Sequence, residues 1–344
     1  MNILDVWPFT EELVINHLCD KTLSLGKFSE EDHYYPTDKI SLNANMKISS
    51  ENNKNGFWEV DEGRLFILDE RRKRINVFKS IETCSGSIYF TGDNLYSKRS
   101  EKICLSPFVS FADSGLKMKF CIASHIDYYE IALPKLIKSV VRKNKIAKED
   151  VVIFINGSEK EEQRTIGGIQ YNFITHNSWE YGALIDIVEK SIDVDYWFLL
   201  HDTCELDDNF MSIINGLDFG LQFDMGCTVR TKRKERVLSS FNMGFYRYEF
   251  LKKIKDLLMS LKNVSKSDGI SVEIDLHGTG IRSKAELLFF FNGENNQGFS
   301  VMGEKDIYGT GKKRHILYLP DSGIYKYVND YDGITSVRTM VHKP

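Results

Sequence analysis

Val151-Val-Ile-Phe-Ile155-Asn156-Gly157-Ser158 is a run of five apolar residues stopped by a polar turn. Alternation is absent, so a strand here has both faces buried, as in a parallel sheet covered by helices. The flanking sequence repeats the theme. Upstream, Phe120-Cys-Ile-Ala-Ser124 is a shorter apolar run ending in small residues. Between the two, apolar residues at 132, 133, 136, 137, 140 and 141 mark one face of a helix over 131–143. Downstream, 171–174 predicts a strand, 179–190 a helix capped by Asn177 or Ser178, and 196–200 another buried strand. Residues 116–344 are therefore expected to be α/β, with helices on both sides of the sheet and ligands beyond the strands' carboxyl ends.

Residues 1–115 read differently. After a short helix near 11–18 come β-like runs at 39–48, 57–60, 65–68, 74–81 and 87–90. They are separated by turn formers such as Asp61-Glu-Gly63 and Gly92-Asp-Asn94. Short strands at intervals of about ten residues predict a small sandwich or barrel-like module. It would serve as an accessory domain that binds glycan or a partner, or equally as a spacer or dimerisation element, and 106–115 would link it to the rest.

Composition narrows the function classes. The chain has 344 residues, 42% hydrophobic and 27% charged, with a net charge of −4. A disordered chain and a general nucleic-acid binder are both disfavoured. The amino terminus lacks the basic and apolar regions of a secretory signal, and the longest apolar runs are far shorter than the roughly 18–20 residues of a membrane helix. The six cysteines show no CxxC spacing, which favours reduced thiols and argues against a zinc cluster. A cytoplasmic location is expected, with peripheral contact at the inner face of the membrane open.

Four successive strand ends carry polar or small residues: Ala123-Ser-His125, Asn156-Gly-Ser158, Thr175-His-Asn177 and His201-Asp-Thr203. With Leu133-Pro-Lys-Leu-Ile-Lys-Ser139-Val140, their order resembles the nucleotide-binding half of GT-A fold glycosyltransferases, most like the family 2 group. In that group the first helix reads L-x-x-x-x-x-S-V, the second strand ends in D-G-S, and a later apolar strand ends in D-x-D. The resemblance implies a GT-A type mixed sheet flanked by helices, preceded by a small mostly-β domain. It also implies transfer of a sugar from a nucleotide-sugar donor to a glycan or lipid-linked acceptor, in a setting such as bacterial surface polysaccharide synthesis.

By the same resemblance, Ser124, Asn156, Asn177 and Asp202 would contact the nucleotide. Asp202 would hold a Mn²⁺ or Mg²⁺ ion bridging the diphosphate, since a divalent ion stabilises charge on the departing phosphate. His201 and Thr203 stand where the group has a second acid, so Glu205 or Asp207 would assist. His315 is the candidate late metal ligand, and Lys312, after Gly309-Thr-Gly311, a cation for the diphosphate. For the general base of an inverting reaction the candidates are Glu286, Asp275 and Glu273. The segment 239–247 would face the acceptor, with Met243, Phe245 and Tyr246 equally suited to a core. The basic clusters at 71–74 and 230–236 read as solvated loops. The alternatives are a non-catalytic carbohydrate or nucleotide-sugar binding protein of the same fold, or a sugar nucleotidyltransferase. The second is weakened because Ala123-Ser-His-Ile-Asp127 lacks a glycine-rich loop.

Overall fold

The computed structural model describes residues 6–28, 34–52, 55–84, 87–97, 101–178, 180–228, 230–233, 236–239, 243–263, 281, 284–291 and 299–329. The chain forms two compact units. One comprises Met1–Gly115, Gly216–Phe223 and Glu286–Phe289, the other Leu116–Asn215, Asp224–Ala285 and Phe290–Pro344.

The first unit holds α1 (Glu11–His17) and eight strands: β1 (Thr22–Phe28), β2 (Tyr34–Leu42), β3 (Lys47–Ser50), β4 (Gly56–Asp61), β5 (Arg64–Leu68), β6 (Arg74–Cys84), β7 (Ser87–Asn94) and β8 (Lys102–Pro107). The strands run in the order β1-β8-β7-β6-β5-β4-β3-β2, and β2 returns to pair with β1. All pairings are antiparallel, so the eight strands close into a barrel. Alternation decides which side chains enter it. Leu23, Ile40, Ile48, Trp58, Leu65, Ile67, Phe78 and Phe90 share one buried core, whereas Phe66, Leu68 and Val77 form a separate cluster with Phe57. The Trp58 indole N–H donates to the Asn43 carbonyl at 2.9 Å, which satisfies its polar atom.

One end of the barrel is stoppered from the amino terminus. Val6, Phe9, Val14 and Leu18 belong to the barrel core, with the Phe9 and Phe90 rings 4.7 Å apart. Phe9 donates its N–H to the carbonyl of Gly63, in the β4–β5 turn. Thr10 caps α1 by accepting from the Leu13 N–H at 3.2 Å, and Glu11 and Glu12 lie in the first turn, where the helix dipole favours acids.

The second unit contains β9 (Met118–His125), α2 (Tyr129–Ile137), β10 (Val151–Asn156), β11 (Glu162–Ile166), β12 (Ile169–Phe173), α3 (Tyr181–Glu189), β13 (Tyr196–His201), β14 (Cys204–Leu206) and α4 (Phe210–Gly216). After these come β15 (Met225–Cys227), the hairpin β16 (Arg230–Arg233) and β17 (Arg236–Ser239), β18 (Gly244–Arg247), α5 (Tyr248–Lys253) and α6 (Lys255–Met259). The last described elements are β20 (Ser300–Lys305), β21 (Arg314–Leu319) and β22 (Ile324–Val328), while β19 (Leu288–Phe290), which precedes them, falls mostly in the first unit. Within this unit a mixed sheet runs β15-β18-β13-β9-β10-β12-β11. Its middle strands β13, β9, β10 and β12 are parallel, while β18 and β11 run against their neighbours. A second, antiparallel sheet has the order β14-β22-β21-β20.

The apolar runs at 120–124, 151–155 and 196–200 are buried parallel strands, and 131–143 is helical throughout, with α2 widening into a π turn over Lys138–Lys143. The expectation of a helix-flanked α/β protein of GT-A type is nevertheless overturned. The described residues are β-rich, with 43% strand against 23% helix, and include a closed antiparallel barrel and a mixed sheet. The connection from β10 to β12 shows why. It contains β11 and the tight Gly167-Gly168 turn, both glycines at positive φ, so an antiparallel strand rather than a helix joins these two parallel strands. Beyond β13, short antiparallel strands take over from strand–helix alternation.

Among the described residues, Cys19, Cys104, Cys121, Cys204 and Cys227 are buried free thiols. No described helix is long and apolar enough to cross a membrane.

Candidate functional site

From β9 the chain moves to β10 and β12 on one side, then returns to place β13 on the other. The carboxyl ends of β9 and β13 thus flank a switch point in strand order, where an open sheet leaves a crevice. A cavity of about 440 Å³ lies there, with Ser124, Asn156, His201, Asp202, Lys312 and Arg314 among its walls.

Ser124, at the end of β9, donates its hydroxyl to Asp202 Oδ2 at 2.6 Å, just beyond β13. Burial pushes the Asp202 carboxyl up from its ordinary pKa, opposed by the Ser124 hydrogen bond and the charges of Lys326 and Arg314. Asn156, 1% exposed at the end of β10, donates through Nδ2 to the Ser124 carbonyl at 2.9 Å and so ties two strand ends together. Gly182 permits this arrangement, because a Cβ there would stand 1.7 Å from Asn156 Oδ1. Gly157 adopts φ +76°, as the turn after β10 requires, and a Cβ on it would press on His125.

The antiparallel sheet supplies the cations. Arg314 opens β21, and Lys312 stands in the loop before it. Asp306 shapes that loop by accepting backbone N–H groups from Thr310 at 3.1 Å and Gly311 at 2.7 Å. Those bonds, led by Gly311, hold its carboxyl below the usual range. On β22, Lys326 is only 6% exposed, and its ammonium donates to His201 Nδ1 at 2.7 Å and Thr203 Oγ1 at 2.6 Å. With Nδ1 accepting from an ammonium, the neutral His201 ring carries its proton on Nε2.

Ser124, Asn156, Asp202 and Lys312 therefore meet in one cavity. The other expected residues are placed elsewhere or fall outside the described residues. Asn177 bonds His125 through its side-chain amide at 3.2 Å and does not line the cavity. His315 is buried and pairs with Glu304 at 2.9 Å, since alternation along β21 turns it away from the side Arg314 occupies. Glu205 bonds Lys135 at 2.9 Å, Lys143 at 3.0 Å and the Tyr327 hydroxyl at 2.5 Å, and Asp207 accepts from the Tyr318 hydroxyl at 2.7 Å. Both acids are thus engaged in structural contacts. Glu286 is exposed just before β19, groups with the barrel unit and does not line the cavity. Glu273 and Asp275 lie outside the described residues.

Of the segment at 239–247, Met243, Phe245 and Tyr246 are interior side chains at 1% exposure. Ser139 is structural as well, donating to the Leu136 carbonyl and accepting from the Leu206 N–H. The sequence names Arg314 only within the basic cluster 312–315 that follows the glycine loop, and does not mark His201 or Lys326 as site residues. The available signal was Lys326 itself, a charge set between apolar and aromatic residues in Ile324-Tyr-Lys-Tyr-Val328.

A divalent ion finds a poor donor set here. Asp202 already accepts from Ser124 and sits in the field of Lys326 and Arg314. Among the described residues no three His, Cys, Asp or Glu side chains converge. The expected pairing of Asp202 with His315 does not form. No protein-family model matches the sequence, and no curated protein matches it either.

Proposed function

We propose that this cavity binds a nucleotide-diphosphate sugar and that the chain transfers the sugar to a glycan or lipid-linked acceptor. The observation that carries the reading is the meeting of Ser124 and Asp202, at the switch point, with Lys312 and Arg314 in one cavity. Its volume of about 440 Å³ is in the range of small-molecule sites, roughly 300–1,000 Å³.

The residues divide the donor between them. Lys312 and Arg314 face the diphosphate and neutralise the charge that gathers on the leaving phosphate as the glycosidic bond breaks. His201 lines the same cavity. Asp202 accepts hydrogen bonds from ribose or sugar hydroxyls, and Tyr128 and Tyr308, which also line the cavity, offer ring faces to the sugar or base.

The test is a panel of nucleotide sugars read by thermal stabilisation and by release of the nucleotide, with Mn²⁺ and with chelator. One donor is expected to stabilise the chain and to be slowly hydrolysed, Asp202→Ala is expected to abolish both signals, and Arg314→Ala to slow release by about 100-fold. Stabilisation without release by any acceptor or water would favour a binding protein without turnover. Silence across the panel would refute the reading.

A further inference from the structure

A second cavity, of about 400 Å³, belongs to the barrel. Its walls come from β1 to β6: Leu25, Ile40, Ile48, Ile67 and Ile75 supply apolar surface, and the β5–β6 turn at 69–71 contributes to its rim. The stoppered end of the barrel carries the β4–β5 turn, whereas this cavity gathers the start of β4, the end of β5 and the start of β6. It is the opposite, open mouth. An eight-stranded barrel has an interior just wide enough to be filled by side chains or to hold one small ligand.

The inner wall of this mouth carries polar groups at positions where alternation continues an apolar row. Asp38 precedes Ile40 by two residues on β2, Ser50 follows Ile48 on β3, and Asn76 precedes Phe78 on β6. All three line the cavity, and Asn76 is 8% exposed. Ser50 donates to Asp38 Oδ2 at 2.6 Å. The other carboxylate oxygen, Asp38 Oδ1, is buried without a hydrogen-bond partner among the described residues. A buried carboxylate oxygen lacking a donor is costly, and in native structures such a group calls for a partner. Among the lining residues Asp38, Asp69 and Glu70 outnumber Arg71, while the cations that follow in the turn are engaged elsewhere, Arg72 over the Phe57 ring, Lys73 over the Tyr96 ring and Arg74 on Glu59 and Asp61.

We infer that the barrel mouth is a binding site for a small amphiphilic amine, its apolar body among the isoleucines and its ammonium on Asp38. A donor is needed at Oδ1 and the charge lining the cavity is net negative, which together select a cation over a carboxylate or a neutral alcohol. The site is independent of the sugar-nucleotide reading, since none of its residues lines the other cavity.

The inference is tested by isothermal titration of the full chain with n-octylamine, n-octanol and octanoate, probes of one shape and different head groups. Octylamine is expected to bind at one site, octanol about tenfold more weakly and octanoate not at all, as expected of a charge-assisted hydrogen bond. Asp38→Asn, which keeps the oxygen facing Ser50, should erase the preference for amine over alcohol. Leu25→Phe should fill the cup and abolish both, with folding checked by circular dichroism. Failure of octylamine to bind, equal binding of octanoate, or binding that survives both variants would each overturn the assignment.

Discussion

Polar side chains line both cavities, but they are held differently. In the second unit they reach the cavity from strand ends and are bonded to each other: Ser124 to Asp202, Asn156 to the Ser124 carbonyl, Lys326 to His201 and Thr203. In the barrel they stand partway along strands, replacing apolar residues on an inner wall, and Asp38 keeps one oxygen uncommitted. The first arrangement fixes charges before a ligand arrives, which is what stabilising a developing charge requires. The second leaves an unmet need that a ligand itself supplies. The contrast teaches that a network closed on itself is suited to chemistry, and an open acceptor to capture.

The largest effect that would sharpen this contrast is in packing. Trp58, 1% exposed in the barrel core, is expected to cost about 3–5 kcal/mol as Trp58→Ala, measured by urea unfolding. A barrel cup that depends on its core should then lose octylamine binding while donor stabilisation of the other cavity persists. Loss of both would break the separation of the two sites.

Next comes Arg314→Ala. A cation facing the leaving phosphate should lower turnover of the preferred donor by about 100-fold, and Asp38→Asn should leave it unchanged. A normal rate in Arg314→Ala would remove the electrostatic part of the proposal.

A smaller effect concerns Glu205. Burial alone would raise its pKa, but the hydrogen bonds from Tyr327, Lys135 and Lys143 outweigh it and lower the carboxyl from 4.5 to about 2. The folded-state value lies below the unfolded one, so the stabilisation is fully present above pH 4.5 and is lost as pH falls towards 2. After allowance for solvent screening it is worth about 2 kcal/mol. Because the folded carboxylate is still largely ionised at pH 2.5, unfolding free energies at pH 5 and pH 2.5 should differ by about 1.4 kcal/mol less in Glu205→Gln than in the parent.

The smallest effect is at the stopper of the barrel. Thr10→Ala removes the cap of α1 and should cost about 1 kcal/mol, seen as a modest shift of the urea midpoint with octylamine binding intact.

Much of the local structure was legible in particular residues. The unbroken apolar runs at 120–124, 151–155 and 196–200 identify buried parallel strands, because only a doubly covered strand tolerates them. The alternating runs before residue 115 announce a barrel or sandwich, but alternation cannot say that β2 returns to β1, since closure depends on strand tilt and register. The overall class was misread at β11. Glu162-Gln-Arg-Thr-Ile166 has no strong helical or strand period, and the expectation of helices on both faces passed over it. In the candidate site, Ser124, Asn156, Asp202 and Lys312 were found from strand ends and a glycine loop. Lys326 was not, because it arrives on β22 of a separate sheet, over a hundred residues after Asp202, and no local pattern records that approach.

The position of β11 at the margin of its sheet has a consequence for behaviour in a crowded solution. A terminal strand presents unpaired backbone groups on which another chain can nucleate a shared ladder. The outer run Glu162-Gln-Arg-Thr is mostly solvent-facing and charged, with Arg164 paired to Glu162 and its guanidinium lying over the Phe173 ring. A second chain seated there would have to displace that ion pair and desolvate both charges, so the same strand that diverts the fold from strand–helix alternation is blunted as a template for further pairing.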